Sequence, residues 1–434
     1  MNQESTHDLA QKKVALHTLG CRLNFSETGS MAEGFEKRGY QVVPFGEKAD
    51  VTFINTCTVT DKADSTCRNL IRKAHKTSPE GQIVVAGCYA QMAPQEIASM
   101  KGVDLVLGTS EKYKVFDYLE EEDEQKIKVD KSFHFYSAAT TRAEGHTRAF
   151  LKIQDGCNYI CSFCIIPQAR GRSRTITLDE AKKEAQNLID SGFKEIVLTG
   201  VNIGEYEARS GEKLSTLIRE ISNISGLERL RLSSVEPNTF NQDLIQTLKE
   251  TRQFLHHFHI PLQSGSDKVL KEMRRKYTRD QYREIIQNIH SRFPEAAFGA
   301  DVIVGFPGET EKDFEDTYEF LKELPLTHFH VFPYSKRKGT LASKREDHIH
   351  SAVKKKRVRK LIELGEKKLF DFSAQQIGKV CEVLFERCDK SGQFTGYTPN
   401  YLKVKTSSAS SLKNQIKKVE IIDFDGKQLV SKLI

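Results

Sequence analysis

The chain has 434 residues, enough for two or three domains, and 38% of them are hydrophobic, enough for buried cores. Its 66 basic and 59 acidic residues leave a net charge of +7, a modest excess that is compatible with a polyanionic partner. No apolar run approaches the roughly 20 residues of a membrane span, and residues 1–7 are polar, unlike a signal peptide. We therefore expect no membrane partner and a cytoplasmic location, in which the nine cysteines stay reduced.

Short apolar runs alternate with amphipathic segments from residue 13 onward. We predict strands at 14–19, 49–56, 82–87 and 103–107, with helices over 26–38 and 62–76. This alternation is typical of an α/β domain with a parallel, doubly wound sheet, in which ligands bind beyond the carboxyl ends of the strands. The acidic residues 119–125 and the Lys-rich residues after them predict a solvated linker.

Three cysteines follow these predicted strands at similar positions. Cys21, Cys57 and Cys88 each come one or two residues after a strand. Because the carboxyl ends of parallel strands share one edge, we interpret them as a metal site assembled from distant segments, with chance placement as the alternative. We expect ordinary packing or an unimportant thiol at three other cysteines, Cys67, Cys381 and Cys388.

A second cysteine triplet lies in a single loop. Cys157, Cys161 and Cys164 form a C-x3-C-x2-C motif just past a predicted strand at 149–154. Three thiolates leave one position of a metal centre open, whereas a structural zinc site closes itself with four ligands. We predict a [4Fe–4S] cluster whose open iron binds a small molecule. The alternatives are a zinc loop that borrows a distant histidine and cysteines that are simply buried.

A second series of strands and helices begins near residue 149. The predicted strands are 149–154, 195–199, 229–233, 257–261, 298–304 and 328–332, and the predicted helices are 178–190, 214–222, 242–251, 279–290 and 312–322. A complete (β/α)8 barrel needs two more units, so we predict an open partial (β/α)6 barrel with its active site at the carboxyl ends of the strands.

Small and polar residues fill four loops at these strand ends, at 198–204, 233–237, 261–267 and 301–309. Each loop alone could be a plain turn, but four of them beside a metal loop predict a ligand pocket. Histidines also alternate on two of the strands, and we expect them to line the lumen, with metal ligation as the less favoured alternative; they are His257, His259, His328 and His330.

Two basic stretches are candidate phosphate contacts, although charged runs are more often solvated faces. They contribute Arg170, Arg172 and Arg174 beside the cysteine loop, and Lys354, Lys355, Lys356 and Arg357 at the start of a helix that we predict to end near residue 374.

The last 60 residues change to short alternating strands, which we predict at 379–385, 393–397, 401–405, 416–422 and 429–433. Five such strands favour a small all-β barrel of the OB kind, an architecture that often binds nucleic acid. Its aromatic and basic side chains could stack on bases and hold phosphates, with core packing as the alternative; they are Phe394, Tyr397, Tyr401, Lys403 and Lys405.

The C-x3-C-x2-C loop resembles that of the radical S-adenosylmethionine (SAM) superfamily, in which an aromatic residue, here Phe163, commonly precedes the third cysteine. The resemblance implies that the open iron binds the amino and carboxylate groups of SAM. It also implies that an electron from the cluster cleaves the sulfonium bond to give a 5′-deoxyadenosyl radical. Residues 301–309 look like the adenine-side strand motif, and residues 200–202 occupy the place of the loop that meets the methionine amino group. The predicted cofactor-binding residues are Phe163, Gly200, Asn202, Glu236, Gln263, Asp301 and Gly305.

Over essentially its whole length, the chain resembles the methylthiotransferases. The resemblance implies an N-terminal domain over 12–118, a linker over 119–142, a radical SAM domain over 143–372 and a TRAM RNA-binding domain over 373–434. It also implies a second, auxiliary [4Fe–4S] cluster that carries the sulfur to be transferred, held by Cys21, Cys57 and Cys88.

Motifs at 18–24, 154–157, 330–335 and 396–401 look most like the family branch that acts on threonylcarbamoyladenosine. The implied function is methylthio transfer to carbon 2 of N(6)-threonylcarbamoyladenosine at tRNA position 37. The implied partners are the tRNA anticodon stem-loop, an electron donor such as flavodoxin or ferredoxin, and a sulfur donor. The alternatives are isopentenyladenosine in tRNA, an aspartate of a ribosomal protein, and a non-enzymatic, zinc-stabilised RNA-binding protein.

Overall fold

The computed structural model describes residues 11–120, 126–139 and 147–434. Contacts divide these residues into two compact units: those before residue 140 together with Gln168–Gly171, and the remainder from residue 147 onward. Parts of the predicted linker, residues 121–125 and 140–142, lie outside the described residues. None of the helices within the described ranges is both long enough and apolar enough to cross a membrane.

The first unit is a six-stranded, fully parallel sheet in the order β2-β1-β3-β4-β5-β6. Its strands are β1 (Lys13–Thr18), β2 (Gln41–Val43), β3 (Val51–Thr56), β4 (Gln82–Gly87), β5 (Leu105–Leu107) and β6 (Ile127–Lys128). The predicted parallel sheet is confirmed. The two edge strands β2 and β6 escaped prediction because segments of three and two residues are too short to show an alternating pattern.

Helices cover both faces of this sheet and enclose two apolar clusters. They are α1 (Arg22–Glu36), α2 (Asp61–Thr77), α3 (Cys88–Met92), α4 (Pro94–Ala98) and α5 (Val115–Glu120). Helix α1 starts at Arg22, four residues before its predicted start, and Cys21 is the residue directly before its first turn. Helix α2 begins where Thr60 accepts a hydrogen bond from the backbone of Ala63, a normal N-cap.

The second unit contains the partial barrel and the C-terminal domain. The barrel strands are β7 (Arg148–Lys152), β10 (Glu195–Thr199), β11 (Arg229–Leu232), β12 (His257–His259), β13 (Ala297–Val304) and β14 (His328–Pro333), with a short hairpin of β8 (Gln154–Asp155) and β9 (Arg174–Thr175). The six barrel strands form two parallel sheets, β7-β10-β11 and β12-β13-β14. Backbone hydrogen bonds of Leu230 to Gln253 and of Val235 to His259 join the two sheets. The six-stranded open barrel is therefore confirmed.

The helices of this unit are α6 (Ile166–Arg170), α7 (Leu178–Asp190), α8 (Leu214–Ser222), α9 (Gln242–Glu250), α10 (Asp267–Glu272), α11 (Arg279–Arg292), α12 (Glu311–Glu323) and α13 (Ser351–Ala374). Capping boxes at Thr177, Thr278 and Thr310 explain why α7, α11 and α12 begin where they do.

Five strands close into the C-terminal barrel in the order β15-β16-β17-β19-β18, and all neighbours pair antiparallel except β17 and β19, which are parallel. They are β15 (Val380–Cys388), β16 (Gln393–Tyr397), β17 (Lys403–Ser407), β18 (Ile416–Phe424) and β19 (Leu429–Leu433). Their inward side chains form one apolar core that includes Phe394, so the core-packing alternative is correct for that residue.

Candidate active site

The single-loop cysteine triplet lies between β8 and α6, at the carboxyl ends of the barrel strands. Ser162 anchors the loop, because its backbone N–H donates to Met273 (3.0 Å) and its hydroxyl donates to the carbonyl of Glu272 (2.7 Å). Burial is the main cause that raises the pKa of the Cys157 and Cys164 thiols to about 12, and the neighbouring cysteines contribute a smaller part of that increase. Such thiols would bind a metal centre as thiolates, with their protons released to solvent.

The spacing of the sulfurs bears on the kind of metal centre. In a tetrahedral zinc site with bonds of about 2.3 Å, sulfur ligands lie about 3.8 Å apart. Neither cysteine triplet brings its three sulfurs within 4.8 Å of one another; among the described residues only His259, Asp301 and His330 bring three ligand atoms that close. A tetrahedral zinc site would therefore require the sulfurs of either triplet to move closer together.

A buried polar side chain, Asn202, lies just beyond the end of β10. The amide of Asn202 is only 3% exposed, and both its Nδ2 and its Oδ1 have no hydrogen-bond partner among the described residues. The Asn202 backbone N–H donates to Gln154 Oε1 (2.8 Å). A Cβ on Gly200 would lie 2.8 Å from the same Gln154 atom, so the loop requires glycine there. Two unsatisfied buried amide atoms fit a ligand with charged donor and acceptor groups, as in the amino-acid end of SAM.

Glu236 lies beyond the end of β11, the strand that pairs with β10, and it forms an ion pair with Arg275. Arg275 Nη1 in turn donates to Cys161 Sγ (3.2 Å), so one guanidinium connects a carboxylate to a predicted iron ligand. Burial raises the pKa of Glu236, and Arg275 opposes that increase. Arg275 is the site residue that the sequence analysis missed, because it lies in a basic run that is indistinguishable from a solvated helix end.

Asp301 faces the lumen between two of the four histidines. Its Oδ1 lies 3.4 Å from His259 Nε2 and 3.3 Å from His330 Nδ1, and His259 Nδ1 lies 2.7 Å from the hydroxyl of Ser234. Burial opposes ionisation of Asp301, but the two histidines outweigh it and lower the pKa of that carboxyl. The stacked rings of His257 and His328 lie 5.6 Å apart, and the rings of His259 and His330 lie 5.5 Å apart, so the four histidines share one face of β12 and β14.

The three other predicted cofactor residues have different environments. Gln263 adopts a φ of 70° and extends the sheet, because its N–H donates to the carbonyl of Asp301 (2.8 Å). Gly305 adopts a φ of 72° beneath the side chain of Lys354, where a Cβ would lie 2.2 Å from Lys354 Cγ. Phe163 is partly buried against an apolar cluster that includes Phe306.

The dispersed cysteines Cys21, Cys57 and Cys88 lie beyond the carboxyl ends of the neighbouring strands β1, β3 and β4, as predicted from their order. Cys21 precedes α1 and Cys88 opens α3, so both sulfurs lie near helix N-termini, which favour negative charge. Burial is the main cause that raises the pKa of Cys57 to about 12, and the nearby thiols Cys88 and Cys21 contribute smaller parts of that increase. A Cβ on Gly20 would lie 2.8 Å from Cys57 Sγ, so this close approach requires glycine.

The prediction that Arg170 contacts RNA is wrong. Its side chain is 1% exposed, and its guanidinium donates to Glu27 Oε1 (2.9 Å), Asn24 Oδ1 (2.6 Å) and Cys88 Sγ (3.3 Å). A guanidinium that is buried in this way cannot reach a phosphate.

The same correction applies to Arg357, which is 5% exposed and donates to Glu309 Oε1 (2.6 Å) and Glu311 Oε2 (3.0 Å). Lys354 is half-buried, and its Nζ donates to the carbonyl of Tyr334 (3.1 Å). Arg174 lies 3.4 Å from Asp155 Oδ2. The basic residues of the prediction that stay exposed are Arg172, Lys355 and Lys356.

Tyr397 and Tyr401 do not offer free ring faces to bases. Their rings stack on each other with centroids 4.9 Å apart. The Arg148 guanidinium lies 4.6 Å from the Tyr397 ring, and that of Arg231 lies 4.5 Å from the Tyr401 ring. The His257 ring lies 4.7 Å from Tyr401, so the two tyrosines fasten the C-terminal barrel to the lumen side of the partial barrel.

Two family profiles match the chain. The Radical SAM superfamily matches residues 151–321, and uncharacterized protein family UPF0004 matches residues 13–108. Each matched segment contains one of the two cysteine triplets.

The chain is 40% identical over 421 residues to threonylcarbamoyladenosine tRNA methylthiotransferase MtaB of Bacillus subtilis (strain 168), an alignment that covers 94% of this chain and 93% of that protein. It is 41% identical over 400 residues to the MtaB of Aquifex aeolicus (strain VF5), covering 91% and 96%. It is 33% identical over 421 residues to tRNA-2-methylthio-N(6)-dimethylallyladenosine synthase of Fusobacterium nucleatum, covering 94% and 97%. The chain therefore belongs to the radical SAM tRNA methylthiotransferases, in the group of the MtaB proteins.

Solved structures agree in fold. TsrM from Kitasatospora setae, a radical SAM methyltransferase solved with cobalamin and a [4Fe–4S] cluster, superposes with a TM-score of 0.58 over 77% of each chain at 15% identity. The cobalamin-dependent SAM radical enzyme OxsB superposes with a TM-score of 0.52 over 82% of this chain and 56% of its own, at 13% identity. Membership of the radical SAM superfamily makes SAM and one [4Fe–4S] cluster the cofactors of this chain.

Proposed function

We propose that the chain transfers a methylthio group to carbon 2 of N(6)-threonylcarbamoyladenosine at tRNA position 37. The observation that carries the proposal is the 40% identity to a threonylcarbamoyladenosine tRNA methylthiotransferase across 94% of this chain. In the net change, one SAM would give its methyl group to the transferred sulfur, and a second SAM, cleaved by one electron, would remove the C2 hydrogen of the adenine as 5′-deoxyadenosine. A C2–S bond would replace the C2–H bond, and the electron released on its formation would return to the clusters.

Residues of the second unit would generate the radical. Cys157, Cys161 and Cys164 would hold the radical SAM cluster, and Asn202 would bind the amino-acid end of SAM with its two unsatisfied amide atoms. When bound, the cluster and SAM supply the one-electron cleavage of the sulfonium. Arg275 would orient Cys161 and compensate charge at Glu236. The other proposed cofactor contacts are Phe163, Gly200, Gln263, Asp301 and Gly305.

Residues of the first unit would deliver the sulfur. Cys21, Cys57 and Cys88 would hold an auxiliary [4Fe–4S] cluster that accepts the methyl group on a bound sulfur. The position of the three cysteines directly beyond the carboxyl ends of the neighbouring strands β1, β3 and β4 supports this assignment. The domain boundaries 12–118, 143–372 and 373–434 are part of this proposal.

Three kinds of partner complete the proposal. The anticodon stem-loop of tRNA is the substrate, a flavodoxin or ferredoxin supplies electrons, and a separate donor replaces the sulfur. The C-terminal barrel contributes to RNA binding, with Arg172, Lys355 and Lys356 as the phosphate contacts because they remain exposed.

Nucleoside analysis tests the substrate. Mass spectrometry of tRNA from a deletion strain should show loss of 2-methylthio-N(6)-threonylcarbamoyladenosine and its return when the gene is restored. Loss of the methylthio-isopentenyl nucleoside instead would assign the other tRNA branch, and unchanged tRNA with an unmodified ribosomal aspartate would assign the protein-modifying branch.

Cysteine variants test the division of labour. The reconstituted chain should hold about eight irons and eight sulfides, as expected for two cubane clusters. Alanine at Cys157, Cys161 and Cys164 should abolish 5′-deoxyadenosine release, whereas alanine at Cys21, Cys57 and Cys88 should preserve that release and stop sulfur insertion. Identical behaviour of the two triple variants would refute the proposed roles, and stable zinc without iron would favour a non-enzymatic RNA-binding protein.

A further inference from the structure

A buried arginine touches one of the proposed auxiliary cluster ligands. Arg170 Nε donates to Cys88 Sγ (3.3 Å), and the side chain of Arg170 is 1% exposed. Arg170 comes only six residues after Cys164 in the sequence, yet it packs within the first unit together with Cys88. The proposed sulfur delivery by Cys21, Cys57 and Cys88 assigns no role to this side chain.

The guanidinium is held rigidly by polar groups that are themselves buried. Glu27, 0% exposed, accepts from Arg170 Nη1 (2.9 Å) and Nη2 (3.0 Å), the two-pronged geometry that fixes the plane of a guanidinium. The ammonium group of Lys112, also 0% exposed, bonds to Glu27 as well. A carboxylate that bonds to both buried cations holds the guanidinium plane in place.

Asn24 connects the Arg170 guanidinium to the other two cysteine loops. Its Oδ1 accepts from Arg170 Nη2 (2.6 Å), and its Nδ2 donates to the carbonyls of Leu19 (2.6 Å) and Thr56 (3.1 Å). Leu19 lies two residues before Cys21 and Thr56 directly precedes Cys57. One hydrogen-bond network therefore reaches the backbone or sulfur of all three cysteine segments.

A purely structural arginine would be satisfied by Glu27 and Asn24, which engage its two terminal nitrogens. The Nε–H bond to Cys88 is additional, and it directs a fixed positive charge at a sulfur. Hydrogen bonds and positive charge at a ligand sulfur stabilise the more negative, reduced form of an iron–sulfur cluster. Arg275 makes the same kind of contact with Cys161 (3.2 Å) in the second unit.

We propose that Arg170 is a positioning residue of the auxiliary cluster: it orients Cys88 and raises the reduction potential of that cluster. The inference rests on the proposed function, because it requires a cluster on Cys21, Cys57 and Cys88. It replaces the RNA contact that the basic sequence around Arg170 suggested, and it gives the network of Glu27 and Asn24 a function in sulfur delivery.

The test uses the full-length chain with Cys157, Cys161 and Cys164 changed to alanine, so that the auxiliary cluster is observed alone. After anaerobic reconstitution with iron and sulfide, an EPR-monitored redox titration gives its midpoint potential. Arg170→Gln, which keeps a donor but removes the charge, should shift the potential to a more negative value. Arg170→Lys, which keeps the charge, should lie between Arg170→Gln and the parent.

Lys37→Ala is the control, because this exposed cation of the first unit lies at the end of α1, pairs with Glu33 and should leave the potential unchanged. An Arg170→Gln potential equal to that of the parent and of the control overturns the inference. Loss of iron from both Arg170 variants with an unchanged far-UV spectrum also overturns it, since the network would then act on assembly alone. If the triple-alanine parent itself takes up no iron, the proposed auxiliary cluster fails instead.

Discussion

Asn202 combines burial with a complete lack of hydrogen-bond partners for its amide among the described residues. Such a group lowers the stability of the unliganded protein and becomes favourable only when a ligand satisfies it. Stability and ligand affinity should therefore respond in opposite directions to its removal.

Asn202→Ala should weaken SAM binding by about 2 kcal/mol, roughly a 30-fold increase in Kd, because hydrogen bonds to charged ligand groups are lost. The melting temperature of the SAM-free protein should stay the same or rise. Calorimetric titration with SAM and thermal unfolding measure the two effects.

Asn241→Ala provides the opposite control. Asn241 caps α9 by accepting from Leu244 N (2.8 Å), so its loss should cost about 1 kcal/mol of stability and leave SAM affinity unchanged. An Asn202→Ala protein that binds SAM as tightly as the parent would contradict the assignment of the pocket.

Glu195 is a second buried residue, and its charged neighbours determine its pKa. It is 0% exposed and accepts from Arg229 Nε (2.8 Å) and Arg231 Nε (2.9 Å). Burial alone would raise the pKa of Glu195, but Arg231, Arg229 and Arg148 outweigh it and lower the pKa to about 2. Because the folded pKa lies below the ordinary value, this carboxylate stabilises the fold at neutral pH and loses that effect as the pH falls.

Glu195→Gln should lower the free energy of unfolding at pH 7 by about 3 kcal/mol or more, since it leaves buried guanidinium groups without their carboxylate. The difference from the parent should shrink as the pH falls from about 4.5 toward 2. Urea denaturation of the metal-free chain across this range measures it. Glu228→Gln, which breaks an exposed pair with Lys194, should cost less than about 1 kcal/mol at any pH.

Single residues also show where sequence reasoning failed. Arg170 and Arg357 belong to basic runs and were predicted to bind phosphate, yet each is buried against carboxylates. Arg172 and Lys356, one or two positions away in the same runs, are exposed. A basic run predicts the same phosphate contact for each of its residues, whereas burial depends on which of them faces the protein interior.

At the scale of elements, the turn between β16 and β17 attaches the C-terminal barrel. Tyr401 adopts a φ of 66°, a left-handed conformation that is costly for a tyrosine and that aromatic contacts on both sides maintain. The hydroxyl of Tyr401 also accepts from Arg148 Nη1 (3.0 Å). These contacts explain why a loop with aromatic residues serves as an attachment instead of a base-stacking surface.

Tyr401→Ala should destabilise the chain by about 3 kcal/mol, because it removes a ring that packs on Tyr397, His257 and Arg231. Faster tryptic cleavage should appear between α13 and β15, at residues 375–379, as the barrel loosens. Tyr401→Phe keeps the ring and loses one hydrogen bond, so it should cost about 1 kcal/mol and leave the cleavage rate unchanged. Equal effects of the two variants would show that the ring contacts do not hold the barrel.

Element boundaries followed local chemistry where that chemistry was strong. Strand β4 and helices α7 and α8 match their predicted ranges, since β4 is a short apolar run, both helices are amphipathic, and a capping box marks the start of α7. The edge strands β2 and β6 did not show in the sequence, because their pairing partners and not their own residues determine that they are strands.

The molecule as a whole carries a net charge of +7, and this excess of cations favours contact with a polyanion such as RNA. Lys355 and Lys356 stay exposed at the start of α13. Each phosphate contact that they make would release about one counterion on tRNA binding.

Alanine at Lys355 and Lys356 together should reduce the slope of log affinity against log salt concentration by about 2 in tRNA binding. Filter binding or fluorescence titration across a range of salt concentrations measures it. Alanine at Lys312 and Lys322, which are exposed on α12 and paired with neighbouring acids, should leave the slope unchanged. An unchanged slope for the α13 variant would remove this helix from the proposed RNA surface.

The sequence by itself determined the parallel sheet, the open barrel, the C-terminal barrel and the grouping of six cysteines. Those features depend on periodicity and on residue spacing along the chain, which local chemistry controls. Only the tertiary structure decided which charges are buried, that Arg275 reaches Cys161, and that Arg170 reaches Cys88. Such contacts join residues 114 and 82 positions apart, and desolvation of each guanidinium depends on everything packed around it.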